Sequence, residues 1–274
     1  MFNLKENELI YIPHFPLIRR AREFRLYDYQ GRRYVDLYRG RGGALLGHKP
    51  PRLVHRQKNL LAKGLLAEMP SVYQHRLGLL LKKVFPAYEG FFIINSLSKL
   101  LALSSSYLQT SLSLADIFDP FSNSADPASP LAVWRPFAPP SALKELLIPI
   151  IPCSNSSSVW ILLTAKALSP TLPPCFISPL LLLEIIQNLV LILKQKVPPW
   201  VRENLFAASP FFNQQGIYLL PKVDTTTYQE LFVLFKEHGF LLSPFYPEPS
   251  MLPLAMSKGE LSRLTKLLLP NKIN

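Results

Sequence analysis

The residue with the clearest chemical potential is Lys166, which follows the apolar segment VWILLTA (159–165) and precedes a proline-bearing turn. A lysine at the end of a buried strand is partly desolvated, so its neutral amine can attack an aldehyde. Ser96 and Ser98 form a second candidate group, because they precede a helical segment whose N–H groups can bind a phosphate. A surface lysine lying on apolar residues and serines that cap a helix are the alternative interpretations.

The elements that must position these residues alternate along the chain. The sequence predicts strands at 90–95, 146–151, 159–165, 216–220 and 240–242, and helices at 52–67, 77–84, 180–193, 227–238 and 258–269. This alternation favours a layered α/β architecture over a helix bundle. Residues 103–158 are rich in serine and proline, so we expect short strands and irregular, partly packed structure there.

A β-hairpin is predicted at 24–37, where alternating apolar residues flank a turn that contains Asp28 and Gly31. A glycine-rich stretch follows at 38–51, and its four glycines permit backbone geometries that a side chain excludes. Two prolines close this stretch and suit the start of a helix. The first third of the chain is therefore expected to be a hairpin, a glycine loop and a helix in that order.

Other reactive-site patterns are absent from the sequence. The five histidines show no HExxH motif, and Cys153 and Cys175 lack a CxxC partner, so we predict no metal site and treat both cysteines as buried small hydrophobes. There is no GxSxG elbow, and RGRGG does not match the phosphate-binding GxxxxGK[ST] motif. These absences exclude the common metal, serine-hydrolase and P-loop sites.

Composition and charge limit the remaining classes. The 274 residues are 49% hydrophobic and include 27 prolines, which excludes a fully disordered chain and allows one large domain or two modest ones. Lys and Arg exceed Asp and Glu by 12, and residues 1–90 hold 17 basic against 7 acidic residues, a surplus of 10. A basic first third can attract nucleic acid, phosphorylated ligands or acidic lipid. A solvated basic face is the favoured interpretation, because the arginines are not concentrated on one helix.

We recognise neither a secretion signal nor a membrane-spanning segment in the sequence. Acidic residues occupy the N-terminal segment, where a signal peptide needs an apolar core. The longest apolar run, 180–193, is too short to span a bilayer and contains Glu184, Gln187 and Asn188. We therefore expect a cytoplasmic protein without a membrane segment.

The segment LYDYQGRRYVDLYRGRGGALLGHKPPRL (26–53) resembles the N-terminal signature of class III, pyridoxal-phosphate-dependent aminotransferases and of glutamate-1-semialdehyde aminomutases. In that family a hairpin leads to a glycine stretch that ends in LGH and a proline. Residues 91–103 are similar to the family's strand, phosphate turn and helix, and 161–174 to its lysine-bearing segment. Residues 179–193 and 234–268 resemble the helix after the lysine and the small domain.

The resemblance implies an α/β, fold-type I architecture, with a large domain built on a mainly parallel sheet (76–204) and a small α+β domain built from both chain ends (1–75 and 205–274). It implies pyridoxal 5'-phosphate as the cofactor, with Ser96 and Ser98 at its phosphate and Lys166 as the catalytic and cofactor-binding Schiff-base lysine. It further implies a homodimer and a small amino donor and acceptor as substrates. A substrate carboxylate would meet one of four arginines: Arg32, Arg33, Arg39 or Arg41.

The chain is a shortened and divergent version of this pattern. Leu97 and Lys99 stand where the family's phosphate turn has a glycine and an acid, and no acid lies between Glu145 and Lys166 to hold the pyridine nitrogen. The first hypothesis is a pyridoxal-phosphate-dependent aminotransferase or aminomutase. The second is a catalytically degenerate protein of the same fold that works without cofactor as a structural or partner subunit. A nucleic-acid-binding module is a third hypothesis, which charge alone favours.

Overall fold

The computed structural model describes residues 15–121, 126–139, 142–154, 159–167 and 175–269. The described residues form two compact units: unit 1 comprises 15–49, 137–139 and 196–269, and unit 2 comprises the described residues within 50–136 and 142–195. The proline-bearing turn expected after Lys166, at 168–174, lies outside the described residues.

Unit 1 contains two small sheets and three helices. Its elements in chain order are β1 (Ile18–Arg22), β2 (Arg25–Asp28), β3 (Arg33–Asp36), α5 (Pro199–Arg202), β9 (Phe212–Gln215), β10 (Tyr218–Pro221), α6 (Thr225–Glu237), β11 (Phe240–Leu241), β12 (Ser250–Met251) and α7 (Lys258–Leu268). One sheet has the order β1-β2-β3-β11 and the other has the order β12-β10-β9. Strands from both ends of the chain therefore share the first sheet, as expected for the small domain.

The predicted hairpin is formed by β2 and β3, and Asp28 holds its turn. The Asp28 Oδ1 accepts hydrogen bonds from the backbone N–H groups of Gln30 and Arg32 at 3.0 and 2.8 Å. Its Oδ2 accepts the Tyr34 hydroxyl at 3.0 Å. An aspartate that bonds to the backbone ahead of it is a common way to fix a turn.

The two longer helices of unit 1, α6 and α7, begin at side-chain caps. Asp224 accepts the N–H of Thr227 at the start of α6, and Ser257 and Glu260 form a capping box at the start of α7. In the core, the Phe212 ring of β9 packs edge to face against two rings of α6, those of Tyr228 and Phe235.

Unit 2 is a layered α/β domain. Its elements are α1 (Leu53–Leu61), α2 (Val72–Val84), β4 (Gly90–Ile94), α3 (Leu97–Leu108), β5 (Ile117–Phe118), β6 (Leu131–Trp134), β7 (Leu146–Pro149), β8 (Trp160–Thr164) and α4 (Pro179–Lys194). In the serine- and proline-rich middle, 103–158, the strands β5, β6 and β7 are only two to four residues long.

The five-stranded sheet of unit 2 has the order β4-β8-β7-β6-β5. β5, β6 and β7 pair in parallel, whereas β8 is antiparallel to both of its neighbours, β7 and β4. Since β4 and β7 both oppose β8, four of the five strands run in the same direction. The sheet is therefore mixed in its pairings but mainly parallel in direction, as the fold class predicted.

Buried apolar residues cover both faces of this sheet. One cluster joins Leu77 and Leu81 of α2 and Leu182 and Leu189 of α4 to alternate residues of the sheet. The second joins Leu100 and Leu103 of α3 to the opposite face. Strands buried on both faces explain the continuous apolar runs in the sequence.

The boundary between the two parts differs from the one expected at residue 75. Residues 50–75 belong to unit 2, because α1 packs against α4: Gln187 donates from its side chain to the Pro51 carbonyl at 3.3 Å and accepts from Arg56. At the other end, residues 196–204 belong to unit 1 and not to the large domain.

In the described parts of the chain, no helix is long and apolar enough to cross a bilayer.

Candidate functional site

The four strands of unit 2 that run in one direction place their carboxyl ends along one edge of the sheet. We name this the carboxyl edge and define it by the segments that follow β4, β5, β6 and β7: 95–99, 119–121, 135–136 and 150–154. The opposite side is the amino edge. In α/β sheets, ligands bind outside the carboxyl ends of the strands, so the carboxyl edge is where a cofactor site is expected.

Ser96 and Ser98 lie together on the carboxyl edge, where β4 leads into α3. Ser96 is the N-cap of α3, and its Oγ accepts the N–H of Lys99 at 3.3 Å. The Oγ atoms of the two serines are 3.2 Å apart, and Lys99 Nζ donates to the Asn95 side-chain oxygen at 3.2 Å. The hydroxyl of Ser96 thus serves the helix cap that was the alternative interpretation of these residues.

Lys166 lies on the amino edge. Thr164, the last residue of β8, is paired with Gly90, the first residue of β4, and with Leu146, the first residue of β7. The Lys166 N–H donates to the Tyr107 hydroxyl at 3.1 Å, and its carbonyl accepts the Thr164 hydroxyl at 2.8 Å. The lysine is exposed to solvent. It therefore lacks the desolvated position that Schiff-base chemistry requires.

The length of β8 separates Lys166 from the two serines. Trp160, at the start of β8, pairs with Ile94, the residue that ends β4 just before Ser96. With a rise of about 3.3 Å per residue, the four steps from Trp160 to Thr164 span roughly 13 Å. The aldehyde and the phosphate arm of pyridoxal phosphate are attached to neighbouring ring carbons. The structure does not bring Lys166 together with Ser96 and Ser98, and these residues do not fit one bound cofactor.

An ion pair that was not predicted from the sequence lies on the same carboxyl edge, at the end of the sheet formed by β5 and β6 and three strands away from β4 and the two serines. Asp119 follows β5 and Arg135 follows β6, and the guanidinium binds both carboxylate oxygens, with Nε–Oδ1 3.1 Å and Nη2–Oδ2 2.5 Å. Both side chains are about four-fifths buried, with 20 and 22% exposed. Asp119 is the one carboxylate among the described residues of the carboxyl edge, and Arg135 uses both of its oxygens. The signal available in sequence was a charge directly after each of two apolar runs.

Helix α4 holds the segment that follows β7. The buried Glu184 accepts the backbone N–H of Ser154 at 2.8 Å and its hydroxyl at 2.7 Å, and Asn188 donates to the Pro152 carbonyl at 2.8 Å. These polar residues in an otherwise apolar helix are thus structural anchors. Polar residues within the apolar run 180–193 indicate in the sequence that this helix makes a buried polar contact.

The four arginines considered for a substrate carboxylate have different surroundings in unit 1. Arg39 is buried and donates to the Ala44 carbonyl at 3.2 Å. Burial lowers the pKa of its guanidinium to about 10, and the nearby Asp36 carboxylate opposes that change. Arg41 pairs with Glu248 at 3.1 Å on the surface. Arg32 and Arg33 are exposed.

Asp36 organises the glycine loop that follows the hairpin. Its Oδ1 accepts the N–H groups of Tyr38 and Arg39 at 3.0 and 2.9 Å, and its Oδ2 lies 2.7 Å from His48 Nε2. The Asp and His of the sequence signature are therefore joined in one structural contact within unit 1. Among the residues that the structure describes, no three His, Cys, Asp or Glu side chains are grouped as metal ligands.

No protein-family model matches the chain. An uncharacterized protein of Borreliella burgdorferi is 28% identical over 260 residues, covering 95% of this chain and 93% of that protein. A glutamate-1-semialdehyde 2,1-aminomutase of Thermodesulfovibrio yellowstonii is 33% identical over 79 residues, covering 29% of this chain and 18% of the aminomutase. The crystal structure of an omega-transaminase from Sphaerobacter thermophilus superposes with a TM-score of 0.70 at 12% identity, covering 97% of this chain and 92% of that one.

The structural likeness extends over nearly the whole chain, whereas the sequence likeness to aminomutases covers under a third of it. A TM-score of 0.70 at 12% identity identifies a shared fold. The chain has the fold-type I architecture of the aminotransferases in a shortened and divergent form.

Proposed function

We propose that this chain is a catalytically degenerate protein of the aminotransferase fold, which works without cofactor as a partner subunit. The observation that carries the proposal is the position of Lys166. The strand that precedes it runs against its neighbours, so the lysine lies on the amino edge while Ser96 and Ser98 lie on the carboxyl edge.

The contacts at the carboxyl edge support the same proposal. Lys99 is the one lysine among the described residues of this edge, and it is exposed and bonded to Asn95. Asp119 is neutralised by Arg135, so it is not placed to pair with a pyridine nitrogen. The next four residues of the chain after the segment 150–154, namely 155–158, are Asn and Ser in sequence, so they supply neither a lysine nor a carboxylate for a cofactor. Structural contacts therefore occupy the groups that a cofactor needs.

The partner we propose is a second copy of the chain. Large apolar side chains are exposed at five positions within 54–79, a segment of unit 2 that includes most of α1 and of α2: Val54 (38%), Leu61 (46%), Leu66 (57%), Val72 (61%) and Leu79 (58%). Apolar side chains concentrated in one exposed segment are typical of a protein–protein interface. A homodimer covers them without requiring a different protein, and the proposed location is the cytoplasm.

The competing function is a pyridoxal-phosphate-dependent aminotransferase or aminomutase that acts on an amino acid or amino-aldehyde. The fold and the aminomutase-like stretch favour it. It requires Lys166, or another lysine, to reach a cofactor whose phosphate is held elsewhere. The two functions differ in one measurable property, which is whether a specific lysine forms a Schiff base.

The decisive experiment incubates the purified protein with excess pyridoxal phosphate, records the near-ultraviolet and visible spectrum, and traps any Schiff base with borohydride before peptide mapping. We expect weak labelling spread over exposed lysines, with Lys166→Ala and the matched variant Lys194→Ala each losing only their own peptide. A stoichiometric label on Lys166, lost in Lys166→Ala and retained in Lys194→Ala, contradicts the proposal and shows the specific cofactor binding that the competing function requires.

A further inference from the structure

Unit 1 contains a basic cleft of about 570 Å³ that has no role in the function proposed above. It lies between the turn of the β2–β3 hairpin, the end of α6 and the last turns of α7. Six of its lining residues have acidic or basic side chains: Arg32, Arg33, Glu237, His238, Arg263 and Lys266. We name this the basic cleft.

The charges of the basic cleft are unbalanced. It has four permanently cationic side chains, and Glu237 is the one carboxylate in its lining. In the described part of the chain, none of the four cations has a carboxylate within ion-pair distance. Elsewhere in unit 1 the basic side chains Arg25 and Arg41 do have acidic partners. The cleft therefore differs from a surface on which opposite charges are interspersed.

The fold brings these cations together from distant parts of the sequence. In the sheet register Arg33 is opposite Tyr27, and Tyr27 is opposite Arg20, so the three residues lie on one face of the sheet. Helix α7 lies against this face, where Arg263 stands over the Phe240 ring at 5.6 Å. All four cations are exposed, so water and salt screen their mutual repulsion in part, and a bound anion would remove the remainder.

Compensation of helix dipoles accounts for only part of the cluster. Both α6 and α7 end at the cleft, and each helix end carries about half a negative charge. Together with Glu237, these ends offset about two of the four positive charges. A surplus of roughly two charges is left, without counting His238. Mobile counterions screen this surplus in the free protein, and a bound anion of two or more charges would neutralise it.

We propose that the basic cleft binds a small ligand that carries two or more phosphate groups. Guanidinium groups bind phosphate oxygens in pairs, and three of the four cations are arginines. A volume of about 570 Å³ is within the range of small-ligand sites and accommodates a diphosphate or a phosphorylated metabolite. A concave cleft bounded by a turn and two helix ends suits a compact ligand better than it suits an extended strand of nucleic acid. The proposal is independent of whether the carboxyl edge binds a cofactor.

The test is isothermal titration of the full chain with inorganic pyrophosphate at constant ionic strength, followed by the same titration with sodium sulfate. We expect saturable one-site binding of pyrophosphate and at least 10-fold weaker binding of sulfate. The double variant Arg263→Ala/Lys266→Ala is expected to weaken pyrophosphate binding at least 10-fold. The matched control Arg19→Ala/Arg22→Ala removes two exposed arginines of the same unit that do not line the cleft, and it is expected to change the affinity less than 2-fold.

Fold and ligand source are controlled separately. Unchanged thermal unfolding of the double variant without ligand shows that the loss of binding is local. A second arm compares a soluble inositol polyphosphate with vesicles that contain a phosphoinositide, and cleft-dependent binding of either one supports the proposal and identifies the source. No saturable pyrophosphate binding, equal losses in the two double variants, or cleft-dependent binding of RNA that pyrophosphate does not displace overturns it.

Discussion

Arg25 and Glu260, which are 235 residues apart in sequence, form a bidentate ion pair inside unit 1. The Arg25 Nε and Nη2 atoms donate to the two Glu260 oxygens at 2.9 and 3.0 Å. The same carboxylate accepts the backbone N–H and the hydroxyl of Ser257 at 2.9 and 3.0 Å. One buried side chain therefore links the N-terminal hairpin to α7 and caps that helix.

Substituting Glu260 by Ala should cost about 3 kcal/mol of unfolding free energy, because it removes the cap of α7 and leaves the mostly buried Arg25 guanidinium with only the exposed Glu23 carboxylate as a partner. The matched control is Glu248→Ala, which removes the partner of Arg41 from a pair whose side chains are 55 and 40% exposed. Exposed pairs contribute about 1 kcal/mol or less, so the control should have a small effect. Urea unfolding of both variants measures the difference, and equal losses would contradict the structural role of Glu260.

Acid should destabilise unit 1 through the same residue. Burial raises the pKa of the Glu260 carboxyl, but the hydrogen bonds from Arg25 and Ser257 outweigh burial and hold the pKa below its ordinary value of 4.5. The unfolded chain therefore binds more protons in this range, and the stabilisation is complete above pH 4.5 and is lost as the pH falls through the folded-state pKa. The slope of unfolding free energy against pH between 3 and 5 should be smaller in Glu260→Gln than in the wild type.

The glycine loop after the hairpin should tolerate no side chain at Gly47. This residue has φ +93°, and an added Cβ meets the Glu23 carbonyl oxygen at 2.9 Å. That carbonyl also accepts the His48 N–H at 2.7 Å, so any displacement weakens a hydrogen bond. Gly31, with φ +80° and open space around its Cβ position, is the matched control.

Both substitutions to Ala incur the cost of a left-handed backbone, about 1–2 kcal/mol. Gly47→Ala should lose at least about 1 kcal/mol more than Gly31→Ala, since it adds the overlap with Glu23. Thermal unfolding of the two variants compares them directly, and an identical loss would show that the loop yields to the side chain without cost.

The proposed homodimer predicts a concentration-dependent mass. Sedimentation at micromolar concentration should give twice the chain mass, and Leu61→Asp/Leu79→Asp should give the monomer, since charges at a buried apolar interface are unfavourable. Leu143→Asp, a leucine that is 76% exposed outside the segment 54–79, is the control and should remain dimeric. A wild-type monomer would contradict the proposed partner.

Local patterns were sufficient to predict most elements. The turn residues Asp28 and Gly31 predicted the hairpin, and Phe240–Leu241 and Lys258–Leu268 form the strand and helix expected after Gly239. The helix expected at 180–193 extends from Pro179 to Lys194. Turn chemistry, caps and apolar periodicity are short-range signals, so a single sequence contains them.

The direction of a strand within its sheet has no comparable local signal. VWILLTA predicted β8, but its antiparallel pairing depends on the neighbours β4 and β7, and that pairing decides which edge Lys166 occupies. The Asp119–Arg135 pair and the basic cleft were missed for a similar reason, because their members are separated by 16 to more than 200 residues. Surplus charge in the first third was visible in the sequence, but its convergence with α7 was not.

The long separation between β2 and α7 affects how unit 1 is made on the ribosome. At 5–20 residues per second, about 10–50 s pass between the synthesis of Arg25 and that of Glu260. During this time the nascent hairpin lacks β11, and Leu26 and Tyr34 have not yet met Leu241. Three exposed arginines in the edge strand β1 then act as gatekeepers, since charge on an edge strand hinders pairing with another chain: Arg19, Arg20 and Arg22.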